Sequence, residues 1–193
     1  MERLAAAAPD ASTLLAVGAC VLAAAVLRGI TGFGFALAAV PLMGLVVPPA
    51  QAVVVAVLLQ SMIGVRDILA MRSVVDWRSV LRLGAGAVVG TPAGIALLTR
   101  LDPAATRLAI AALVAAGLLF LLRPPPSGAA APGRFEAPVA GLLAGFFGGL
   151  AAMPGPPAVA YFLRAGVRPP VARASLMIFF FVTSLIALPG LAA

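Results

Sequence analysis

The chain has 193 residues, of which 63% are hydrophobic and 10% are charged, whereas soluble globular domains are about half apolar and a quarter charged. With so little polar sequence, the composition excludes a soluble globular protein and indicates that lipid is the solvent. The net charge of +7 comes from 13 arginines without any lysine. Because the arginines lie between apolar stretches, we interpret them as anchors at the membrane surface and expect no nucleic-acid partner.

Uncharged stretches of the sequence predict where helices cross the membrane. A helix that rises about 1.5 Å per residue needs roughly 17–25 residues to span the hydrocarbon core. In chain order, the sequence predicts helices at 12–30, 42–64, 79–99, 104–122, 137–163 and 171–191. The expected fold class is all-α, a polytopic membrane protein of about six transmembrane helices with two broken or re-entrant segments and a weak internal repeat.

The first broken segment is expected at GITGFGF, residues 29–35, inside an uncharged stretch that continues to Val65. As one helix this stretch would be about 56 Å long, far more than one crossing needs. Its three glycines weaken a helix and Pro41 removes a backbone donor, so we expect a break that faces protein or a watery cavity. The alternative is a hairpin at the membrane surface whose glycines serve close helix packing.

Turn and cap residues predict the connections. Residues 66–82 are expected to form a polar loop, with Trp77 in the interfacial aromatic belt. Asp102 is expected to cap the next helix, with Pro103 as its first residue. The run PPPSGAAAPG, residues 124–133, is a linker by composition. The predicted organisation is a first repeat of about four spans over 1–123, a linker over 124–136, and a second repeat of about two spans over 137–193.

The second broken segment is GFFGGLAAMPGPP, residues 145–157, in the middle of an uncharged stretch that runs from 137 to 163. Three prolines within four residues cannot continue a helix. Helix N-termini beyond such breaks present unpaired N–H groups and the positive end of the helix dipole, which suit an anion. We therefore expect this segment to contribute to a binding site.

The two parts of the chain look related. Residues 32–52 align without a gap with residues 154–174, and the identical positions include one glycine pair and one proline pair. Internal repeats whose apolar segments are interrupted by Gly or Pro at matching positions point to the binding site of a transporter. We therefore expect the two broken segments to meet near mid-depth in the membrane.

Few side chains could serve such a site. Arg28 and Arg173 adjoin apolar stretches, where each could contact a substrate or anchor at the surface, and Arg173 is the expected substrate ligand of the two. Interhelical hydrogen bonding is the alternative role for the neutral polar residues Thr31, Gln51, Gln60, Ser61, Ser175 and Thr183. The chain has no histidine, and its six acids are predicted near span ends or in loops. We expect no enzyme activity, no metal site, no cofactor and no proton relay through membrane carboxylates.

These motifs together resemble the TauE/SafE (sulfite exporter, TSUP) family of membrane transporters. The resemblance is carried by GITGFGFALAAVPLMGL, VDW, GFFGGLAAMPGPPAVAYFL and RPPVARASL, in matching order over roughly residues 12–190. It implies a multi-pass protein with two repeated halves that moves small anions such as sulfite, sulfonates or organic anions. The positions that it marks are Gly29, Thr31, Gly32, Gly34, Pro41, Gly149, Gly155, Pro156, Pro157 and Arg173. Arg28, Gln51 and Ser175 complete the expected substrate-binding set.

Two features depart from the family pattern. Ala152 and Pro154 stand where glycines are common, and family members usually have about eight spans. The alternative to a transporter is therefore a truncated, non-transporting membrane subunit or structural partner. A homo-oligomer, or a partner that supplies further helices, is left open. We expect the chain in the cell membrane (plasma or inner membrane), with both ends cytoplasmic on the side of loops 65–78 and 123–136, where arginines are more numerous.

Overall fold

The computed structural model describes residues 10–31, 34–122 and 133–192. These residues form helices and no strand, which confirms the all-α class. The eight helices are α1 (Ala11–Thr31), α2 (Phe35–Met43), α3 (Pro49–Met71), α4 (Trp77–Leu98), α5 (Pro103–Leu122), α6 (Glu136–Ala151), α7 (Gly155–Arg164) and α8 (Pro169–Ala192). Four of them, α1, α3, α4 and α8, are long and apolar enough to cross a membrane, and α5 and α6 carry shorter apolar runs.

The first half of the chain departs from the predicted boundaries. The helix expected at 42–64 begins only at Pro49 and continues to Met71, and Pro41 lies inside α2 instead of ending a helix. The polar loop expected over 66–82 shrinks to residues 72–76. The physical reason is Asp67, which pairs with Arg28 inside the protein, so a charge in the sequence does not end the helix here.

Two helix starts follow the sequence closely. Asp76 caps α4, where its carboxylate accepts a hydrogen bond from Ser79 N at 3.2 Å. Asp102 caps α5 in the same way and accepts from Ala105 N at 2.8 Å, which confirms the predicted cap. Short polar side chains at this position satisfy N–H groups that a helix leaves unpaired.

The two broken segments form helical hairpins. In the second, the outer ends of α6 and α7 meet through an ion pair between Glu136 and Arg164, with 3.6 Å between the charged atoms. In the first, the last turn of α1 contacts the later part of α3 through Arg28. From there α2 runs back until Gly44, whose carbonyl accepts from Arg107 Nε at the start of α5 (3.3 Å). In each of these two hairpins, a longer helix (α1 or α6) is thus followed by a shorter one (α2 or α7) that runs back.

Glycines bring α4 and α6 into close contact. On α4 the glycines recur every fourth residue from Gly86 to Gly94, and on α6 from Gly141 to Gly149. A Cβ at Gly90 would stand 2.0 Å from Leu142 O, and one at Gly149 would stand 2.1 Å from Thr91 O. The backbones touch where no side chain fits, as in membrane helix pairs with small residues at this spacing. This packed pair holds the second broken segment against the rest of the protein.

The arginines lie mostly at one face of the molecule. That face holds the loop 72–76 and the start of α8, joined by a hydrogen bond from Asp76 N to Ser175 Oγ (2.9 Å), and the outer ends of α6 and α7. Among the described residues it carries Arg66, Arg72, Arg78, Arg82, Arg134, Arg164, Arg168 and Arg173. The opposite face, at the α4–α5 connection, carries Arg100 and Arg107.

The expected arrangement of the chain ends is therefore wrong in one respect. α1 runs toward the arginine-rich face, and α8 runs away from it until Gly190 lies against Ile95 near the end of α4. The start of α1 and the end of α8 share a face, but that face is opposite to the loop 72–76, whereas the chain ends were expected on the side of this loop. The reason is that α1 with α2, and α6 with α7, are hairpins, whereas each was counted as part of a simple series of crossings.

Candidate functional site

Both short helices begin at one small cavity. Gly34, which immediately precedes α2, and Gly155, the first residue of α7, lie on its wall. A Cβ at Gly155 would stand 4.0 Å from Cδ1 of Leu37 in α2. The cavity has ≈ 30 Å³ of space for the centres of water molecules. Its wall consists of Gly34, Phe35, Ala36, Leu37, Val57, Gln60, Gly148, Ala152, Met153, Pro154, Gly155, Phe180, Thr183, Ser184 and Ala187.

Both breaks use left-handed backbone conformations. Gly34 precedes α2 with φ 87°, which glycine adopts without steric cost. Ala152 follows α6 with φ 57°, a conformation that costs an L-residue roughly 1–2 kcal/mol. A glycine at this position would adopt the same conformation without that cost. The break forms nonetheless, and Ala152 N donates to Gly148 O at 2.7 Å.

The two helix N-termini at the cavity differ in the donors that they offer. No side chain caps α2, and its first N–H groups have no acceptor within the helix. Within the described residues, the N–H of Ala38 in the first turn of α2 donates to Gly34 O at 3.4 Å. In α7, Pro156 and Pro157 have no N–H group at all. The N–H groups and positive dipole end that suit an anion are therefore supplied mainly by α2.

A buried polar cluster stands behind the cavity wall. Arg28 Nη1 donates to Gln60 Oε1 at 2.8 Å, and the same guanidinium forms an ion pair with Asp67. All three residues are less than one-tenth exposed. Among the described residues, Gln60 Nε2 has no hydrogen-bond partner, although a buried amide N–H without a partner is costly. Of the three, Gln60 alone lines the cavity.

Two hydroxyl groups on α8 also line the cavity, but their protons are used within the helix. Thr183 Oγ1 donates to Phe180 O at 3.0 Å, and Ser184 Oγ donates to the same carbonyl at 2.6 Å. Such bonds to a carbonyl one turn earlier are common for Ser and Thr in helices. Among the polar side chains on the described wall, Gln60 is therefore the one with a free donor.

The structure brings three of the residues expected at the site to the cavity region. Gly34 and Gly155 are on the wall, and Arg28 lies behind Gln60. Arg173 is exposed and borders a separate apolar groove between α7 and α8. Arg28 therefore lies closer to the cavity than Arg173, which was the expected substrate ligand of the two.

The other expected residues lie elsewhere. Gly29 and Gln51 are exposed on α1 and α3, and Gly149 packs against Thr91 of α4. Ser175 Oγ accepts from Asp76 N and donates to Val171 O at 2.7 Å, so it holds the 72–76 loop.

Four further positions belong to the two signatures, and the structure describes two of them fully. Pro156 faces Gly117 of α5, where an added Cβ would stand 2.6 Å from Pro156 Cγ, and Pro157 is buried in the first turn of α7. Thr31 ends α1, but its side chain is outside the described residues, as is Gly32 entirely.

Asp67 was expected near a span end or in a loop but is buried, and Gln60, also buried, was not part of the expected substrate-binding set. An aspartate within an otherwise apolar helix could have signalled a buried partner, and Arg28 is the cation that supplies it. In the part of the chain that the structure describes, no three His, Cys, Asp or Glu residues come close enough to hold a metal ion.

Comparison with known proteins identifies the family. The model of the family described as sulfite exporter TauE/SafE matches residues 17–193, which confirms the resemblance carried by the two broken segments. No curated protein and no solved structure matched the chain. Since the match includes all of α2 to α8 and most of α1, the chain belongs to the sulfite exporter TauE/SafE family of membrane transporters.

Proposed function

We propose that this protein transports small anions of the sulfite, sulfonate or organic-anion type across the cell membrane, and that they bind in the cavity between the two helix breaks. The observation that carries the proposal is that α2 and α7, which begin at two distant breaks in the sequence, start at the same cavity. The description of the family as sulfite exporters supports a small anion as the substrate. The cavity between the breaks is the natural place for the substrate.

The backbone at the two helix breaks supports this proposal. Groups that leave a helix within a membrane remain unpaired unless they face protein or a polar cavity. Transporters place substrates at such discontinuous helices, where N-termini point at anionic groups. The uncapped N-terminus of α2 meets this requirement. Because it attracts an anion with dipoles and not with a full charge, it can also release the anion, as transport requires.

Flux into proteoliposomes tests the proposal. The purified protein should move sulfite or methanesulfonate across the bilayer, and Gly155→Leu should abolish that flux. A Cβ at Gly155 would meet Phe180 Cζ at an ordinary 3.7 Å, so the backbone tolerates a side chain, whose remaining atoms would fill the cavity. Gly18→Leu is the matched control, because Gly18 on α1 has nothing within 4 Å of an added Cβ.

The results separate the proposal from its alternative. Flux in the wild type and in Gly18→Leu, with none in Gly155→Leu at equal protein content, supports a transporter whose site is the cavity. A wild-type protein that inserts normally but moves none of the anions would favour the non-transporting subunit. Normal flux in Gly155→Leu would leave the transporter standing and remove the cavity from the pathway.

A further inference from the structure

The side-chain amide of Gln60 is held in one orientation. A guanidinium has donors and no acceptor, so Arg28 can bond only to the oxygen of Gln60, at 2.8 Å. Arg28 is in turn fixed by its ion pair with Asp67. With Oε1 committed to Arg28, the unpartnered Nε2 is the group that Gln60 has left for the cavity that it lines. The cluster therefore presents a hydrogen-bond donor to the cavity.

The charges of the cluster cancel. The guanidinium of Arg28 and the carboxylate of Asp67 form a buried pair, and no charged residue is on the described wall of the cavity. The remaining wall is mostly apolar, with Phe35, Leu37, Val57, Met153 and Phe180 among its members. A nearly neutral, low-dielectric site penalises each further unit of charge on its ligand. Such a site can bind one negative charge through dipoles, but it compensates a second one poorly.

We propose that Gln60 Nε2 donates a hydrogen bond to the transported anion, that the Arg28–Asp67 pair positions this amide, and that the site prefers monovalent oxyanions over dianions. The inference rests on the proposed function and deepens it, since it names a specificity-determining residue and the charge class of the substrate. Gln60 is a binding residue in this account, and Arg28 and Asp67 are positioning residues.

Binding to the purified protein tests the role of Gln60. The probes are methanesulfonate, a monoanion, and sulfate, a dianion, compared by titration calorimetry at the same pH and ionic strength. We expect methanesulfonate to bind at least 10-fold more tightly than sulfate. Gln60→Met keeps the side-chain length but removes the donor, and a lost hydrogen bond to a charged ligand should weaken methanesulfonate binding about 10-fold or more. Gln51→Met is the same change on the same helix at an exposed position and should leave binding unchanged.

Asp67→Asn tests the charge argument with a readout that a purely structural role would not change. The substitution leaves Arg28 with an uncompensated positive charge beside the cavity. The substitution should lower the ratio of methanesulfonate affinity to sulfate affinity. This ratio does not depend on the amount of folded protein. If Gln60→Met cannot be purified, the shift in this ratio still decides whether the site prefers monovalent anions.

Each outcome bears on a distinct statement. Unchanged methanesulfonate binding in Gln60→Met would overturn the role of Gln60 while proteoliposome flux still supports a transporter. The preference for monovalent anions would be overturned if the wild type bound sulfate and methanesulfonate equally tightly. It would also be overturned if the ratio of these two affinities were the same in Asp67→Asn as in the wild type. A wild-type protein that binds neither probe would overturn this inference, and its flux would decide the proposed function separately.

Discussion

The contact between α4 and α6 makes a sharp prediction about stability. A Cβ added at Gly90 would stand 2.0 Å from Leu142 O and 2.9 Å from Phe146 N, whereas ordinary contacts begin at about 3.4 Å. The two helices must therefore move apart by about 1 Å in Gly90→Ala, which also loosens the neighbouring glycine contacts. On the same helix, a Cβ at Gly84 would meet only Val182 Cγ1 at 3.9 Å. Gly84→Ala is the matched control.

The difference between these variants isolates the steric cost. Both replace a helical glycine by alanine, so the gain of about 1 kcal/mol in helix propensity cancels. Overpacking costs roughly 1–3 kcal/mol, and Gly90→Ala should be less stable than Gly84→Ala by that amount. Reversible unfolding in mixed detergent micelles, followed by circular dichroism and tryptophan fluorescence, measures the free energies of unfolding. Equal free energies in the two variants would refute the close packing of α4 on α6.

Three further predictions use the same protein. Asp67→Leu should lower the free energy of unfolding by about 3–5 kcal/mol because it leaves Arg28 buried without a partner, and adding Arg28→Met should recover most of the loss; additive losses would contradict the pairing. Ala152→Gly should stabilise by about 1 kcal/mol because it relieves the positive φ, and a destabilised variant would contradict strain at the break. The third prediction concerns orientation and uses single cysteines in a Cys20→Ser background. Since arginines favour the cytoplasmic face, Val74→Cys should react with an impermeant thiol reagent only from the cytoplasmic side, and Asp102→Cys only from outside. The reverse labelling pattern would invert the orientation.

The sequence predicted the helical class and the breaks because these depend on local chemistry. Long uncharged stretches need a membrane, and clustered glycine or proline interrupts a helix wherever it occurs. The cap at Asp102 was predictable for the same reason, because an N-cap is a contact between residues three apart. Pro41 is the exception, because it lies inside α2.

The sequence did not predict features that depend on contacts between distant segments. Asp67 looked like the start of a loop because its partner, Arg28, is 39 residues away. Gln60 and Gln51 are the same residue type on one helix, and only the fold shows that Gln60 lines a cavity while Gln51 is exposed. Gly149 looked like part of a substrate loop, but its distance to Thr91 shows that it packs against α4. Such distinctions require the three-dimensional arrangement.

An anion that occupies the cavity between the two breaks should protect a cysteine placed there from modification by a thiol reagent. Ala36 lies on the cavity wall, so Ala36→Cys in the Cys20→Ser background should react slowly with a small sulfonate-bearing thiol reagent, and saturating methanesulfonate should slow it further. Val74→Cys, in the exposed loop 72–76, should react at the same rate with and without the anion. We expect methanesulfonate to protect Ala36→Cys and not Val74→Cys. Equal rates of modification of Ala36→Cys with and without methanesulfonate would contradict an anion-binding site in the cavity.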